Sequence, residues 1–441
     1  MNGTSDKAGA LGEPVNVVIV GAGSRAMNYA SYSLKHPKAM RVVGVVEPDP
    51  KRRAHTARLY GLPADRCFES VEALVARPQL ADAVINGTLD ALHVRTTLPL
   101  LRKGYDVLLE KPIGISEEEV LELYRVAEAH ERKVMICHVL RYAPFYQALN
   151  QVIRSGEIGD VVHVQTEENV DYHHMATAFV RGKFASLERD GSSFLMAKCC
   201  HDLDLISWFK TGVKPVRVGS FGRRSQFRED RAPEGAGTRC VTDCPIEATC
   251  PYSAKTLYVE RGTVAGVRVA GLPGRRAAER RGEAGQPGCR QSVRPLRMAL
   301  RQRYRGSSGR AVRVRGREHG RSQPCGRRRQ GMQDRAYHGD QGRDLRRAGG
   351  RRVRRPASRS VDGRRRLFGA KSRHRGVRGK CTGGGDHRLV EDFLRVVRGD
   401  PDAGYSTALA HSIVGHVSGF RADVSMATGR TVEIDWDDVF V

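Results

Sequence analysis

The chain has 441 residues, enough for two or three domains, and a formal net charge of +26 at pH 7. That charge is local: between Arg261 and Lys380 there are 37 Lys+Arg against 7 Asp+Glu, a net of +30, so the rest carries 38 against 42, a net of −4. This speaks against a nucleic-acid-binding protein, and Tyr304, Tyr337 and Phe368 are too sparse among the arginines to stack bases; the lack of any membrane-length apolar run and the polar tail at residues 1–13 make a cytoplasmic chain the expectation.

The first element is the run VNVVIVGAGSRA at residues 15–26, an apolar strand that ends in a glycine-rich turn and opens a helix. Gly21 permits the tight turn, Gly23 lets backbone approach a pyrophosphate, and Ala26 is small enough for close helix–strand packing. Ser24 and Arg25 stand in the first helical turn, where free N–H groups favour phosphate. A second strand at 41–46 ends in Glu47, placed to bind adenosine ribose hydroxyls, which favours NAD; Arg52 and Arg53 leave NADP open. Further strands at 83–86, 106–109 and 133–137 alternate with helices near 24–36, 50–60, 70–76, 91–103 and 116–131. Ser116 and Glu119 predict a capping box for the last of these helices. Continuous apolar strands alternating with helices indicate an α/β unit with a doubly wound parallel sheet, a Rossmann-type dinucleotide-binding domain over 14–138.

The region 139–261 reads differently. A helix is expected at 144–155, a strand at 160–169 with Val162 and Val164 on its covered face, a helix at 201–209 and a strand at 216–221. Mixed strands after a Rossmann-type unit imply a second α/β domain with a mostly antiparallel sheet, and an active site in the crevice between the two. Lys111 follows the strand at 106–109, at the carboxyl end where ligands bind in such sheets. A lysine partly desolvated beside a cofactor would have a lowered pKa and handle a proton; a solvated loop lysine is the alternative. Cys240, Cys244 and Cys250 form a cluster that either binds zinc, with a fourth ligand from Cys199, Cys200 or His201, or stays as reduced thiols. The spacing fits no standard knuckle and favours thiols, so no metal is expected.

The glycine-rich turn, Glu47, TLDALH at 88–93, GYDVLLEKP at 104–112 and HVLRY at 138–142 together resemble the glucose–fructose oxidoreductase / inositol dehydrogenase (Gfo/Idh/MocA) family. The resemblance covers Val15 to about Glu260 and resumes at Gly383. It implies an NAD(P)-dependent oxidoreductase moving a hydride between nicotinamide and a sugar, polyol or related cyclic substrate, as a homo-oligomer. It implies that Lys111 contacts the substrate and that His201, in MAKCCHDLD at 196–204, is the catalytic base. Arg141, Tyr142 and Asp202 would serve the substrate, and Thr88, His93, Glu110 and Lys111 would join Gly21, Gly23, Ser24, Arg25, Ala26 and Glu47 at the cofactor. The family's Asp four residues before the histidine is replaced by Ala197, with Asp202 or Lys198 as substitutes. That departure supports the alternative, a non-catalytic dinucleotide-binding or regulatory protein on the same scaffold.

The stretch 262–382 is rich in Arg and Gly, with little apolar periodicity and no strand pattern. Read one base on, degenerate codons for AYHGDQGRDL at 336–345 permit RTMGTKGEI, those for LRQRYRG at 300–306 permit CVNDTVV, and those for VAG at 269–271 permit WPV. Each resembles a family motif, in family order and at one offset. A pair of compensating frame changes, near Gly262 and near Cys381, explains this best. The segment is then expected to be unfolded, to omit several strands of the second domain and to impair turnover; residues 383–441 would complete that domain with a helix and a strand.

Overall fold

The computed structural model describes residues 13–170, 172–182, 184–187, 191–224, 226–260, 311–314 and 384–439. They belong to one compact unit drawn from Met1–Gly316 and Cys381–Val441. The expectations for residues 1–12 and for most of 262–382 lie outside the described residues.

Six strands form a parallel sheet: β1 (Val15–Val20), β2 (Met40–Val46), β3 (Cys67–Phe68), β4 (Ala83–Asn86), β5 (Asp106–Leu109) and β6 (Val134–Ile136), in the order β3-β2-β1-β4-β5-β6. The sequence reading finds five of them; β3, of two residues, is too short to show a pattern. The chain turns to opposite sides after β1 and β4, so a crevice opens at their carboxyl ends. Both faces of the sheet are covered, which is why its strands read as unbroken apolar runs. One face buries Val18, Val84, Val107 and Leu109 against Leu98, Leu101, Val120 and Leu123 of two crossover helices, and against Ile413 and Val417. The other buries Val17, Ile19, Ile85 and Leu108 against Ala26, Tyr29, Leu389 and Phe393. Each such side chain contributes about 1.5–3 kcal/mol.

Local chemistry sets the helix ends. Asp49 accepts from the amides of Lys51 and Arg52 and starts the helix Pro50–Tyr60, which Gly61 ends at φ 66°. Ser116 Oγ accepts from Glu119 N at 3.3 Å, while Glu119 Oε2 accepts from Ile115 N at 2.9 Å, a capping box displaced by one residue. The stretch 24–36 is two helices, Ser24–Ala30 and Tyr32–Lys35.

A smaller antiparallel sheet orders β8 (Ala311–Val314), β7 (Pro215–Gly219) and β9 (Val432–Glu433), with β7 in the centre. Three expectations are corrected here. Residues 160–169 form no strand, and Val162 is 96% exposed; alternation supplies a face, but a strand also needs a hydrogen-bonding neighbour, and among the described residues none lies beside it. Conversely, Ala311–Val314 is a strand within the Arg-rich stretch, where Val312 and Val314 alternate with Ala311 and Arg313. Lastly, the helix Gly385–Val397 docks Leu389, Val390, Phe393 and Leu394 on the first sheet, while β9 and the helix Leu409–Thr428 meet β7 of the second.

Candidate active site

The carboxyl ends of β1, β4 and β5 bring three short segments together. Gly21 has φ +77°, and a Cβ there would lie 2.9 Å from the backbone of Thr88, so the turn after β1 touches the turn after β4. A Cβ on Gly87 would lie 2.8 Å from Ala26 Cβ; this second obligatory glycine escaped the sequence reading because no motif marks it. Gly23 is different, since a Cβ would meet only Gly87 O at 3.6 Å. Its smallness is not demanded by the protein itself, and free space beside a helix start suits a ligand. Ser24 is exposed at that helix start, whose cap residue Gly23 supplies no side-chain bond.

Glu47 is buried and accepts from Ala22 N at 2.8 Å and Asp49 N at 3.0 Å, tying the end of β2 to the glycine-rich turn. Arg53 is occupied, donating to Glu47 O at 2.5 Å and pairing with Glu69 at 2.7 Å. Thr88 Oγ1 donates to Asn86 Oδ1 at 2.9 Å, and Asn86 Nδ2 donates to Thr96 and Thr97, both at 2.9 Å, so Asn86 organises the turn after β4. His93 is 1% exposed, with Nδ1 2.7 Å from Pro112 O and Nε2 3.3 Å from Thr88 O. Its hydrogen bonds bind two turns together.

Arg25 also turns inward. It donates to Glu110 Oε1 at 2.8 Å, to Asp386 at 2.7 Å and to the Tyr29 hydroxyl. Burial pushes the Glu110 carboxyl up, but the Arg25 and Lys111 cations outweigh it and hold it at about 2. Lys111 Nζ donates to Ala197 O at 2.7 Å, while its amide donates to Glu110 Oε2 at 2.8 Å. The expected lowering of its pKa is corrected. Burial does act downward, but the Cys200 sulfur, Glu110 and Asp90 prevail and hold the ammonium above its ordinary value.

The segment that meets Lys111 is the turn Leu195–Cys199 and the helix Cys200–Phe209. Burial, then Lys111, push His201 down to about 3, so the ring is neutral near pH 7. Its Nδ1 is buried without a hydrogen-bond partner among the described residues. Burial pushes the Cys200 thiol up to about 12 and lowers Lys198, which stands 4.0 Å from Glu168. Asp202 is 8% exposed on the same helix.

Arg141 and Tyr142, expected to serve the substrate, are engaged by distant parts of the chain. Arg141 forms a bidentate pair with Asp204 at 2.6 and 2.7 Å and donates to Ser406 O at 2.6 Å; Tyr142 donates to Asp392 at 2.7 Å. Both line a cavity of about 740 Å³ together with Trp208, Lys214, Arg388 and His411, and neither Lys111 nor His201 reaches it. Cys240, Cys244 and Cys250 are free thiols: Cys240 Sγ accepts from Ala254 N at 3.1 Å and Cys244 Sγ from Gly237 N at 3.5 Å. Among the described residues no group of three or more His, Cys, Asp or Glu is arranged to hold a metal.

Comparison with known proteins fits this geometry. Residues 15–138 match the family described as an oxidoreductase family with an NAD-binding Rossmann fold, and residues 146–253 match the GFO/IDH/MocA C-terminal domain. The trans-1,2-dihydrobenzene-1,2-diol dehydrogenase of Bos taurus is 30% identical over 217 residues, covering 48% of this chain and 61% of the relative. The inositol 2-dehydrogenase of Corynebacterium glutamicum is 22% identical over 209 residues, covering 47% and 57%. A solved scyllo-inositol dehydrogenase from Lactobacillus casei, with bound NAD(H) and scyllo-inositol, is 22% identical, covering 48% of this chain and 61% of that one at a TM-score of 0.43. The chain spans about three-fifths of the length of the curated relatives it matches.

Proposed function

The chain belongs to the Gfo/Idh/MocA oxidoreductase family, and from that premise we propose that it is an NAD-dependent dehydrogenase of a sugar, polyol or related cyclic alcohol. The observation that carries this reading is the hydrogen bond from Lys111 to Ala197 O, which joins the end of β5 to the segment bearing His201 beside the glycine-rich turn. The residues fit the cofactor: Gly21 permits the tight turn, Gly23 leaves room for a pyrophosphate, and the Glu47 carboxylate favours ribose hydroxyls over a 2′-phosphate. Arg53, already paired with Glu69, is poorly placed to favour NADP. Bound nicotinamide would supply the hydride acceptor or donor.

The chain's own groups handle the proton and the oxygen. Lys111, held charged, donates to the substrate oxygen and stabilises negative charge as it develops there. His201, held neutral, accepts the hydroxyl proton. Ala197 offers Lys111 only a carbonyl, where a carboxylate would add a charge; this favours the second reading, a dinucleotide-binding protein without turnover. We take the protein as cytoplasmic, homo-oligomeric when its second domain is complete, and without a nucleic-acid partner. Among the described residues no helix is long and apolar enough to cross a membrane.

The frame-change reading belongs to the same proposal. The family match ends at residue 253, just before the proposed junction near Gly262. The chain as written is therefore expected to bind NADH and to turn over poorly. Titration of the full chain with NADH, read by fluorescence, is expected to saturate and to weaken on Glu47→Ala. Restoring the frame between codons 262 and 381 is expected to bring polyol-dependent NAD reduction. Absence of NADH binding by the folded chain would overturn the cofactor assignment, and binding without turnover in the restored chain would favour the second reading.

A further inference from the structure

We propose that His416, on the helix Leu409–Thr428, is a positioning residue that holds the Lys111 loop in place through the Ile113 amide. This rests on the reading of Lys111 as the group that meets the substrate oxygen. The backbone leaving β5 at residues 111–113 has left the sheet ladder, so its buried polar groups need other partners. Two histidines supply them. His93 Nδ1 lies 2.7 Å from Pro112 O, and Ile113 N donates to His416 Nε2 at 3.0 Å. Ile113 is 0% exposed and His416 1%, so water cannot substitute for either contact.

The tautomer of His416 follows from its partners. Nε2 accepts from Ile113, so the proton sits on Nδ1, which donates to Ser412 O at 2.9 Å. The carbonyl one turn earlier on the same helix thus orients the ring. Burial pushes its pKa down to about 4, against the Ser412 carbonyl and with Lys111 and His93, so Nε2 remains an acceptor at neutral pH.

The same helix also sets the His201 segment. A Cβ on Gly415 would lie 3.1 Å from Asp204 N, and one on Gly419 would collide with Met196 Sδ. The His138 ring, 0% exposed, stands 5.4 Å from that of His416 and 5.6 Å from that of His201. A single rigid helix therefore touches both the loop that carries Lys111 and the segment that carries His201, and it registers one against the other. Displacement of a reacting group by about 1 Å costs on the order of 100-fold in rate, so such registration has kinetic consequence. His416 lies beyond the Arg-rich segment, which gives the chain after residue 383 a direct part in the site.

The test uses the full chain and its His416→Ala and His416→Gln variants, since a glutamine amide oxygen can take the place of Nε2. Hydrogen exchange at Ile113, labelling of Lys111 by an amine-reactive reagent, NADH affinity and polyol-dependent turnover are measured for each. His416→Ala is expected to speed Ile113 exchange about tenfold or more, to raise Lys111 labelling several-fold and to lower kcat about tenfold or more, with NADH affinity and KM little changed. His416→Gln is expected to recover most of each effect. Unchanged Ile113 exchange and Lys111 labelling in His416→Ala, or no recovery in His416→Gln, would overturn the proposal. Where the chain as written shows no turnover, as the frame change predicts, kcat is compared in the frame-restored chain. No turnover there means that the functional reading fails, while exchange and labelling still decide what His416 does.

Discussion

Burial lowers both groups proposed for chemistry, but the net shifts have opposite signs, because the anionic neighbours of Lys111 outweigh it while the Lys111 and Lys198 cations add to it at His201. Lys111 keeps its proton and His201 stays without one, the combination a donor and an acceptor need. Lys111→Ala is expected to lower kcat by about 100-fold or more in a chain that turns over, with NADH affinity nearly intact. Equal turnover in steady-state kinetics would make the lysine a bystander. The buried histidines also set a pH dependence of stability. His138 and His416 have folded pKa values below the unfolded value of about 6.5, His416 at about 4, with burial the first cause for both. Below that unfolded value the unfolded chain binds protons the folded one refuses, so stability is lost as pH falls from about 6.5 towards 4. The slope is about 1.4 kcal/mol per pH unit for each histidine. Urea midpoints are expected to fall between pH 7 and pH 5, and to fall less steeply in His416→Gln; parallel slopes would contradict this account.

Among the elements, the glycine-rich turn separates what the fold requires from what a ligand requires. Gly21→Ala meets both a positive φ and the Thr88 backbone, and Gly87→Ala meets Ala26. Each is expected to cost about 1–3 kcal/mol, read as a lowered urea midpoint. Gly23→Ala has space within the protein, so its midpoint is expected to hold while NADH affinity drops about tenfold or more. A Gly23→Ala protein that binds NADH as before would place the pyrophosphate elsewhere. The strands of the first sheet were legible because burial on both faces leaves them wholly apolar. The stretch 160–169 misled because an alternating pattern describes one strand, while a sheet is a property of neighbours. Ala311–Val314 was missed for the reverse reason, since two valines among arginines give too weak a signal without β7 beside them.

Over the whole molecule, the Arg141–Asp204 pair ties together three parts of the chain: the turn after β6, the helix that bears His201, and the loop at Ser406. Both partners are almost fully buried, so Arg141→Met leaves the carboxylate without its paired guanidinium. The expected loss is about 3–5 kcal/mol, measured by denaturant unfolding. A loss below 1 kcal/mol would show that Asp204 finds another partner. The frame-change proposal is also decided at this scale. The nucleotide sequence across codons 255 to 390, shifted by one base, is expected to encode MGTKGEI without stop codons. Stop codons in that frame would leave the net charge of +30 over residues 261–380 as a genuine property of the protein.

The amino-acid sequence by itself determined the parallel sheet, the glycine-rich turn and the position of Lys111 at the end of β5. These rest on local pattern: apolar strands, backbone freedom at Gly21, and a chain that must turn where a strand stops. Only the tertiary structure decided what the charged and aromatic side chains do. Arg141 and Tyr142 sit in a motif that suggests substrate contact, yet their partners lie 63 and 250 residues further along the chain. His416 is 303 residues from the amide it holds. A polar group taken out of water must find a partner, and which partner it finds is settled by how distant segments pack, a choice that no local pattern in the chain records.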